Sequence, residues 1–317
     1  MPVVSATPEN LERAAALLRS GAVVAFPTET VYGLGANAFD ARAVARIFEI
    51  KGRPTFDPLI VHVCGERMLE TVVAGVPPLA RRLIDTFWPG PLTLVLRKRD
   101  AVPDLVTAGL ATVAVRMPAH PVAQTLIAAA GTPLAAPSAN PFGYLSPTRA
   151  EHVAQMLGER VDLIVDGGPT AHGVESTIVM LEPQPVLLRH GAIPAESIEA
   201  LIGPLARELS DAARPLAPGR LPQHYAPSVP IRVIDPASVP LSQRAGAALL
   251  AFDTPVDGYR VARVLSARSD LREAAAHLFD YLHELDASGA VRIDAATVPG
   301  EGIGAAIMDR LHRASHR

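Results

Sequence analysis

The sequence predicts an α/β protein made of two units. Short apolar runs typical of buried strands alternate with helical patterns along most of the 317 residues. Polar side chains stand where several of these strands begin or end, which is where open α/β sheets bind ligands. A proline-rich span, 215–230, then separates a second and shorter alternating segment. A chain of this length is expected to hold two domains.

The composition excludes several classes of protein. A net charge of −3 and an aromatic content of 4% argue against a broad nucleic-acid surface, so any anion binding must be local. Cys64 is the single cysteine, which excludes an intramolecular disulfide and an all-cysteine zinc site. No apolar run is long enough to span a membrane, and the first ten residues lack a signal-peptide pattern. We therefore expect a cytoplasmic protein without a membrane partner.

Capping signals predict the first two helices. Thr7 is a suitable N-cap and Pro8 suits the first helical position, so the first helix begins there and ends before Gly21. Asp40 caps the second helix, which ends at Gly52.

A polar loop follows the first buried strand. The apolar run 22–26 predicts that strand, and Pro27 ends it because proline has no N–H to donate. Two threonines, a carboxylate and a tyrosine follow within residues 28–32. Gly33 and Gly35 then predict a glycine loop ahead of a helix, which is either a ligand-binding loop or a plain tight turn.

Two cations stand at the end of the second helix. Lys51 and Arg53, beside a glycine and a proline, suit a phosphate or a carboxylate, although a lone basic pair is often solvated surface. The next buried strand, 59–63, contains His62, which is either a ligand or a satisfied structural residue.

Later strands also end or begin with polar groups. The predicted strand 112–116 ends in Arg116, which either grips a carboxylate through two parallel hydrogen bonds or is an exposed strand end. Ser176 and Thr177 open another strand, and the strand after it ends in Arg189. The recurrence of such groups predicts one shared cleft.

A proline-bordered loop lies between these strands. Ser138, Asn140 and Ser146 offer hydroxyls and an amide that suit phosphate or sugar oxygens, and that equally suit a plain turn. Thr148 and Glu151 match a capping box, which predicts that the following helix starts at Thr148.

The C-terminal segment predicts a small α/β layer structure. The proline-rich span before it contains a His-Tyr-Ala-Pro sequence that is unusual for an inert spacer. A helix is expected before that span, at about 194–205, and the elements expected after it are strands at 231–234, 247–252 and 291–293 and helices at 271–285 and 303–313.

Several motifs agree in order and spacing with one family. Pro-Thr-Glu-Thr-Val-Tyr-Gly-Leu-Gly (27–35), Lys-Gly-Arg-Pro (51–54) and Pro-Leu-Ile-Val-His-Val (58–63) closely resemble the YrdC/Sua5 family, the threonylcarbamoyl-AMP synthases of tRNA modification. The resemblance implies a YrdC-like twisted mixed sheet with helices around a concave cleft at 1–193. It also implies a helix and linker that close over the site at 194–230, and a smaller Rossmann-like Sua5 domain at 231–317.

The resemblance implies a nucleotidyltransferase. The family makes threonylcarbamoyl-AMP from L-threonine, bicarbonate and ATP, with release of pyrophosphate. Mg²⁺ is expected as the cofactor that accompanies ATP, without a metal site made by the protein. A tRNA-threonylcarbamoyl transferase machinery is the expected downstream partner, and a weak RNA contact stays open.

The same resemblance implies the site residues. Lys51 and Arg53 are implied to be catalytic, because their charges would stabilise the phosphate as it transfers. The implied threonine pocket is Thr30, His62, Arg116, Ala136 and Ser176. The implied ATP site is Arg53, Asp57, Thr112, Ser138, Asn140, Ser146, Arg189 and Tyr225. Asp57 departs from the asparagine frequent at that position, and its carboxylate would repel a triphosphate unless Mg²⁺ or a base edge intervened.

Two rival functions stay open at this point. An RNA-binding module is one, although the balanced charge and the few aromatic residues argue against tight binding. A carbamoyl-transfer domain of the hydrogenase-maturation type is the other, although such proteins carry cysteine-rich zinc fingers and this chain has one cysteine.

Overall fold

A computed structural model describes residues 3–207, 216–219 and 224–316 of the chain. Within these ranges the chain forms an eleven-stranded mixed sheet, followed by a four-stranded parallel sheet. The predicted α/β class, with a large mixed sheet and a smaller parallel one, is therefore confirmed.

Helices flank both sheets. Their bounds are α1 (Pro8–Arg19), α2 (Ala41–Lys51), α3 (Glu66–Val72), α4 (Pro78–Phe87), α5 (Asp104–Thr107), α6 (Pro121–Ala130), α7 (Ala150–Leu157), α8 (Ala195–Ile202), α9 (Leu241–Arg244), α10 (Leu271–Asp286) and α11 (Gly304–Ala314).

The strands of the larger sheet are β1 (Val3–Ser5), β2 (Val24–Phe26), β3 (Gly33–Asn37), β4 (Ile60–His62), β5 (Leu92–Arg97), β6 (Thr112–Arg116), β7 (Leu134–Ala135), β8 (Leu163–Asp166), β9 (Thr177–Met180), β10 (Val186–Arg189) and β11 (Ala206–Arg207). Their order is β1-β8-β2-β3-β7-β4-β6-β5-β9-β10-β11. The smaller sheet, in the order β12-β15-β13-β14, is made of β12 (Ile231–Val233), β13 (Ala248–Ala251), β14 (Val261–Val264) and β15 (Ile293–Ala295).

The capping signals of the first two helices are confirmed. Thr7 caps α1 by accepting a hydrogen bond from the Asn10 N–H at 3.3 Å. Asp40 caps α2 by accepting from the two N–H groups that follow Ala41, at 2.9 and 3.2 Å. Gly52 ends α2 in the left-handed region, with φ of 63°. These local rules fix the chain on both sides of the first polar loop.

The predicted glycine loop is wrong, because Gly33 and Gly35 begin strand β3. This strand runs antiparallel to β2, with Phe26 opposite Gly33. A Cβ atom on Gly35 would lie 2.5 Å from the Phe26 ring. Gly35 is thus required by a close approach to an aromatic ring and not by an unusual backbone angle.

The predicted capping box is also wrong. Helix α7 begins at Ala150, after Arg149, and no side chain caps it. Thr148 instead contacts His152, whose Nδ1 lies 3.3 Å from the Thr148 backbone nitrogen. His152, in the first turn of α7, therefore accepts the hydrogen bond from the Thr148 N–H that Glu151 was expected to accept.

The chain between the two sheets lies partly outside the described residues. The larger sheet extends past residue 193, because β11 pairs in parallel with β10 and α8 packs against α4. The expected helix at about 194–205 ends earlier, at Ile202. Linker residues 208–215 and 220–223 are outside the described ranges. The division at 193 and 230 stays a prediction.

The apolar core of the smaller unit extends to loops of the larger unit. The apolar cluster around α10 includes Leu278 and Phe279 of the smaller unit together with Val31, Leu145 and Val174 of the larger one. The loops of the larger unit that carry these residues are therefore built against α10. Among the described residues, no helix is both long and apolar enough to cross a membrane.

Candidate functional site

A cleft opens where the central strands of the larger sheet end. Strands β4 and β6 are parallel and in register, so that His62 lies beside Arg116. The predicted site residues that line the cleft are Thr30, Arg53, His62, Arg116, Ala136, Ser138, Ser176, Arg189 and Tyr225. Residues from widely separated parts of the chain thus meet in one cavity, as the recurrence of polar strand ends predicts.

Arg116 is held in place by three groups. Its Nη1 donates to the Thr30 hydroxyl at 2.9 Å, its Nε donates to the Gly90 carbonyl at 3.1 Å, and its Nη2 lies 2.6 Å from a carboxylate oxygen of Glu29. Thr30 in turn lies 2.8 Å, hydroxyl to hydroxyl, from Thr28. A buried guanidinium in a fixed orientation, lined by hydroxyls, suits a small molecule with a carboxylate.

Glu29 is a residue whose role the sequence analysis missed. It is 7% exposed and does not line the cleft. Burial opposes its charged form, yet the charge and hydrogen bond of Arg116 hold its pKa below the ordinary value. Glu29 lies within the motif 27–35, and this is the only sequence signal for its role. Its pairing with Arg116 depends on strand β6, which is far away in the sequence.

His62 is neutral in this setting. Burial, and after it the nearby Arg116 charge, lowers the His62 pKa to about 3. Its ring meets Phe26 edge to face, with centroids 6.4 Å apart. Within the described part of the chain, its Nδ1 has no hydrogen-bond partner. A neutral imidazole can donate or accept one hydrogen bond to a small polar ligand without adding charge.

Ser176 and Arg189 form the opposite wall. Arg189 donates to the Ser176 hydroxyl at 3.0 Å and to its carbonyl at 2.9 and 3.1 Å. The Ser176 hydroxyl also lies 2.8 Å from that of Thr93 on β5. Arg189 therefore fixes the loop before β9 while its guanidinium borders the cleft.

Lys51 and Asn140 lie behind the cleft wall. The Lys51 ammonium donates to the Ser138 carbonyl at 2.6 Å and also to the Asn140 carbonyl. Burial, with the charge of Arg53 added, lowers the Lys51 pKa well below its ordinary value. The Asn140 side chain donates to the Pro141 and Tyr144 carbonyls. Both side chains shape the loop that presents Ser138.

Asp57 faces Arg53 and not the cleft. The two side chains are buried and form an ion pair at 2.8 Å. Arg53 also donates to the backbone carbonyls of Asp57 and Pro58, at 3.1 and 2.9 Å. Burial raises the Asp57 pKa, although Arg53 acts in the opposite direction. This ion pair accounts for a carboxylate at position 57 beside an arginine suited to bind anions. The Asp57 carboxylate neutralises the charge of Arg53 and orients its side chain.

Ser146 and Thr112 do not line the cleft. The Ser146 hydroxyl is fully buried and donates to Glu175 at 2.7 Å. Thr112 stands at the other end of β6 from Arg116, four residues away, opposite Arg97. It borders a separate open depression together with Arg97 and Leu181. The expected contact between Thr112 and ATP stays a prediction.

Several residues that line the cleft were not among the predicted site residues. Glu175 lines the cleft and pairs with Arg310 of α11 at 2.8 Å. Burial would raise the Glu175 pKa, but Arg310 and then Arg189 bring it down to about 2. Pro218, Gly219 and His224 of the linker line the cleft beside Tyr225. Among the described residues, no cluster of three or more histidine, cysteine or acidic side chains could hold a metal ion.

The arrangement is suited to binding and orientation. The cleft lining offers Arg116 with hydroxyls around it, and it also offers Arg53 and Arg189, whose guanidinium groups suit phosphate oxygens. The cleft can thus bind a small carboxylate and a polyanion in one place.

Comparison with protein families gives two adjacent matches. A family model named Sua5_yciO_yrdC, described as "Telomere recombination", matches residues 16–191. A second model, described as "Threonylcarbamoyl-AMP synthase, C-terminal domain", matches residues 193–316.

Comparison with individual proteins agrees with these matches. The chain is 46% identical over 327 aligned residues to the threonylcarbamoyl-AMP synthase of Bacillus subtilis, covering 98% of this chain and 94% of that protein. It is 44% identical to the enzyme of the same name from Pyrococcus abyssi, covering 95% and 93%. The crystal structure of P. abyssi Sua5 complexed with L-threonine superposes with a TM-score of 0.93 at 40% identity, covering 99% of this chain and 98% of that one.

Proposed function

Because this chain belongs to the Sua5 family of threonylcarbamoyl-AMP synthases, we propose that its own cleft joins L-threonine, bicarbonate and ATP into threonylcarbamoyl-AMP and releases pyrophosphate. The observation that carries the proposal is the buried Arg116, held by Glu29 and Thr30 in a cleft that Arg53 and Arg189 border at other positions.

The threonine half of the cleft is the side of Arg116. The substrate carboxylate pairs with the Arg116 guanidinium, and the neutral His62 and the hydroxyls of Thr30 and Ser176 face its hydroxyl and amine. Ala136 leaves room beside them. Hydrogen-bonding a substrate hydroxyl discriminates strongly against analogues without it, since the partner groups would be left unpaired.

The ATP half is the side of Arg53 and Arg189. Magnesium enters with ATP as part of the substrate and supplies charge neutralisation of the phosphates. Ser138 and Tyr225 also line this half. Lys51 and Asn140 act on it from behind through the loop that they hold, Asp57 acts through Arg53, and Ser146 acts through Glu175. The contact of Thr112 with the nucleotide stays a prediction, because Thr112 borders a separate depression at the other end of β6.

The reaction needs orientation more than proton chemistry. The threonine amine attacks bicarbonate and gives a carbamate and water. A carbamate oxygen then attacks the α-phosphorus of ATP, the bond to the β-phosphate oxygen breaks, and pyrophosphate leaves. Arg53 and Arg189 stabilise the charge that develops on the phosphates, and the cleft holds the two reactants in contact.

The product is expected to serve tRNA modification. A threonylcarbamoyl-adenylate is a mixed anhydride, so a transferase must consume it promptly to place the threonylcarbamoyl group on tRNA. We propose that this transferase machinery lies downstream in the cytoplasm, and that any RNA contact of this chain is weak, in keeping with its net charge of −3.

Product identification tests the proposal. The purified chain is incubated with ATP, Mg²⁺, L-threonine and isotopically labelled bicarbonate. The products are then separated and identified by mass spectrometry. We expect threonylcarbamoyl-AMP that carries the label. AMP without a labelled threonine adduct would contradict the proposal.

A further inference from the structure

Arg310 is a buried cation outside the catalytic unit. It lies on α11, and its side chain is 0% exposed. Its Nε donates to Glu175 at 2.8 Å, its Nη2 donates to the His190 carbonyl at 2.9 Å, and its Nη1 contacts the neighbouring Asp309. Two of these three partners belong to the larger unit, so the guanidinium fork joins the units directly.

Glu175 connects Arg310 to the cleft. One of its carboxylate oxygens accepts from Arg310, and the other accepts from the Ser146 hydroxyl at 2.7 Å. Glu175 also lines the cleft. Without Arg310, a buried carboxylate would lose its main counter-charge, and such a group shifts position, draws in water or takes up a proton.

Arg310 also contacts the linker. Its guanidinium carbon lies 5.0 Å from the centre of the Tyr225 ring, and the ring of Phe279 on α10 lies 5.6 Å from that ring, centre to centre. Tyr225 has a positive φ of 65°, which is unusual for a bulky residue and persists only where the surroundings hold it. Both Tyr225 and Ser146 belong to the ATP half of the proposed site.

The threonine half is held by other contacts. Ser176 is fixed by Thr93 on β5 and by Arg189. Arg116 is fixed by Glu29 and Thr30. All of these lie within the larger unit and do not involve α11.

We propose that Arg310 is a positioning residue through which the smaller unit assembles the ATP half of the cleft. The inference rests on the proposed function for the identity of the nucleotide. Arg310 orients Glu175 and Tyr225 and has no contact with the substrate itself. Through Arg310 the smaller unit therefore contributes to ATP binding.

The test compares variants of the full-length chain by their KM values for ATP and for threonine, and by equilibrium ATP titration. Arg310→Met is expected to raise the ATP KM roughly tenfold or more, the scale typical of losing a buried charged partner, and to change the threonine KM much less. The ATP KM of Arg310→Lys is expected to lie between those of Arg310→Met and the unchanged chain. Lysine keeps the charge but loses the planar fork that reaches both Glu175 and His190.

A second arginine at the interface serves as a control for general docking of the two units. Arg149, whose side chain is 44% exposed, makes a two-point ion pair with Asp280 of α10, at 2.7 and 2.9 Å, across the same interface. Arg149→Met is expected to leave the ATP KM nearly unchanged. An equal rise in the ATP KM for Arg149→Met and Arg310→Met would overturn the proposal, as would an unchanged ATP KM in folded Arg310→Met.

A double variant covers the case in which Arg310→Met does not fold. Glu175→Gln with Arg310→Met removes both charges, so no buried ion is left unpaired and folding is retained, while the ATP KM stays raised. A double variant with an unchanged ATP KM would contradict the inference. The ATP titration needs no turnover, so weaker ATP binding by the variants supports the role of Arg310 even if the unchanged chain makes no threonylcarbamoyl-AMP.

Discussion

Two arginines of the cleft each form an ion pair with a buried carboxylate. Arg116 has Glu29, Arg53 has Asp57, and both pairs are buried. In each pair the arginine lines the cleft and the acid does not. The acid thus keeps a guanidinium charged and oriented inside the protein, where an arginine without a partner would be costly.

The first prediction concerns Arg116. Replacing Arg116 with Lys removes the planar fork that contacts Thr30 and Gly90, so a substrate carboxylate loses one of two parallel hydrogen bonds. We expect the threonine KM to rise by about 10- to 100-fold, corresponding to roughly 1.5–3 kcal/mol for a charged hydrogen bond. The ATP KM, measured in the same preparation, serves as the control and should change little. A threonine KM that stays the same would remove Arg116 from the pocket.

The second prediction concerns Asp57. Asp57→Asn keeps the shape but leaves Arg53 as a buried cation without its counter-ion, so the free energy of unfolding should fall by about 3–5 kcal/mol in urea titrations. Replacing both residues with leucine should recover much of that loss. If Asp57→Asn kept full stability and lost only activity, Asp57 would be a direct contact of ATP or its magnesium.

At the scale of elements, helices α7 and α10 meet through two stacked histidines. The rings of His152 and His283 lie 3.9 Å apart, centre to centre, and His283 contacts the Ser146 carbonyl at 3.1 Å. Asp280 and Arg149 are the charged groups beside them. Burial is the main reason that the pKa of each histidine falls to about 4.

The third prediction follows from these lowered pKa values. A histidine near 6.5 in the unfolded chain and near 4 in the folded one supports the fold fully above pH 6.5. That support is lost as the pH falls from about 6.5 towards 4, because the unfolded chain then binds more protons. We expect the unfolding temperature to fall in this window, and to fall less steeply in His283→Gln.

Exposed His312 provides the control for that substitution. His312→Gln should follow the unchanged chain across the same pH range. Parallel profiles for His283→Gln and the unchanged chain would mean that the stacked pair does not govern the acid sensitivity.

Local sequence rules predicted the elements whose causes are local. The caps at Thr7 and Asp40 and the strand 112–116 are found where they were expected. The failures have tertiary causes. Gly35 is explained by the Phe26 ring on the neighbouring strand, and Thr148 is displaced as a cap by its contact with His152. Nothing in the sequence near those residues carries that information.

At the scale of the molecule, the cleft is a product of both units. The family resemblance implied nine of the residues that line it, and several of these, such as His62, Arg116 and Arg189, stand at the end of a strand. The pairing of Glu175 with Arg310 joins residues 135 positions apart. Such a contact depends on how the smaller sheet docks, and no local pattern in α11 predicts it.

Side-chain packing between the two units explains why the catalytic unit depends on the smaller one. Val31, Leu145 and Val174, which lie on the loops next to the site, pack in one cluster with Leu278 and Phe279 of α10. Burial of these side chains contributes to stability only when both units are in place, so the shape of the loops depends on the docking.

The proposed reaction is tested most directly by measuring the release of pyrophosphate from ATP by this chain with Mg²⁺ and bicarbonate, with L-threonine present or absent. We expect release that requires threonine and falls sharply when serine replaces it, because one cleft must hold both the amino acid and the nucleotide. Release that is indifferent to threonine would contradict the pocket around Arg116. No release under any of these conditions would contradict the proposed reaction itself.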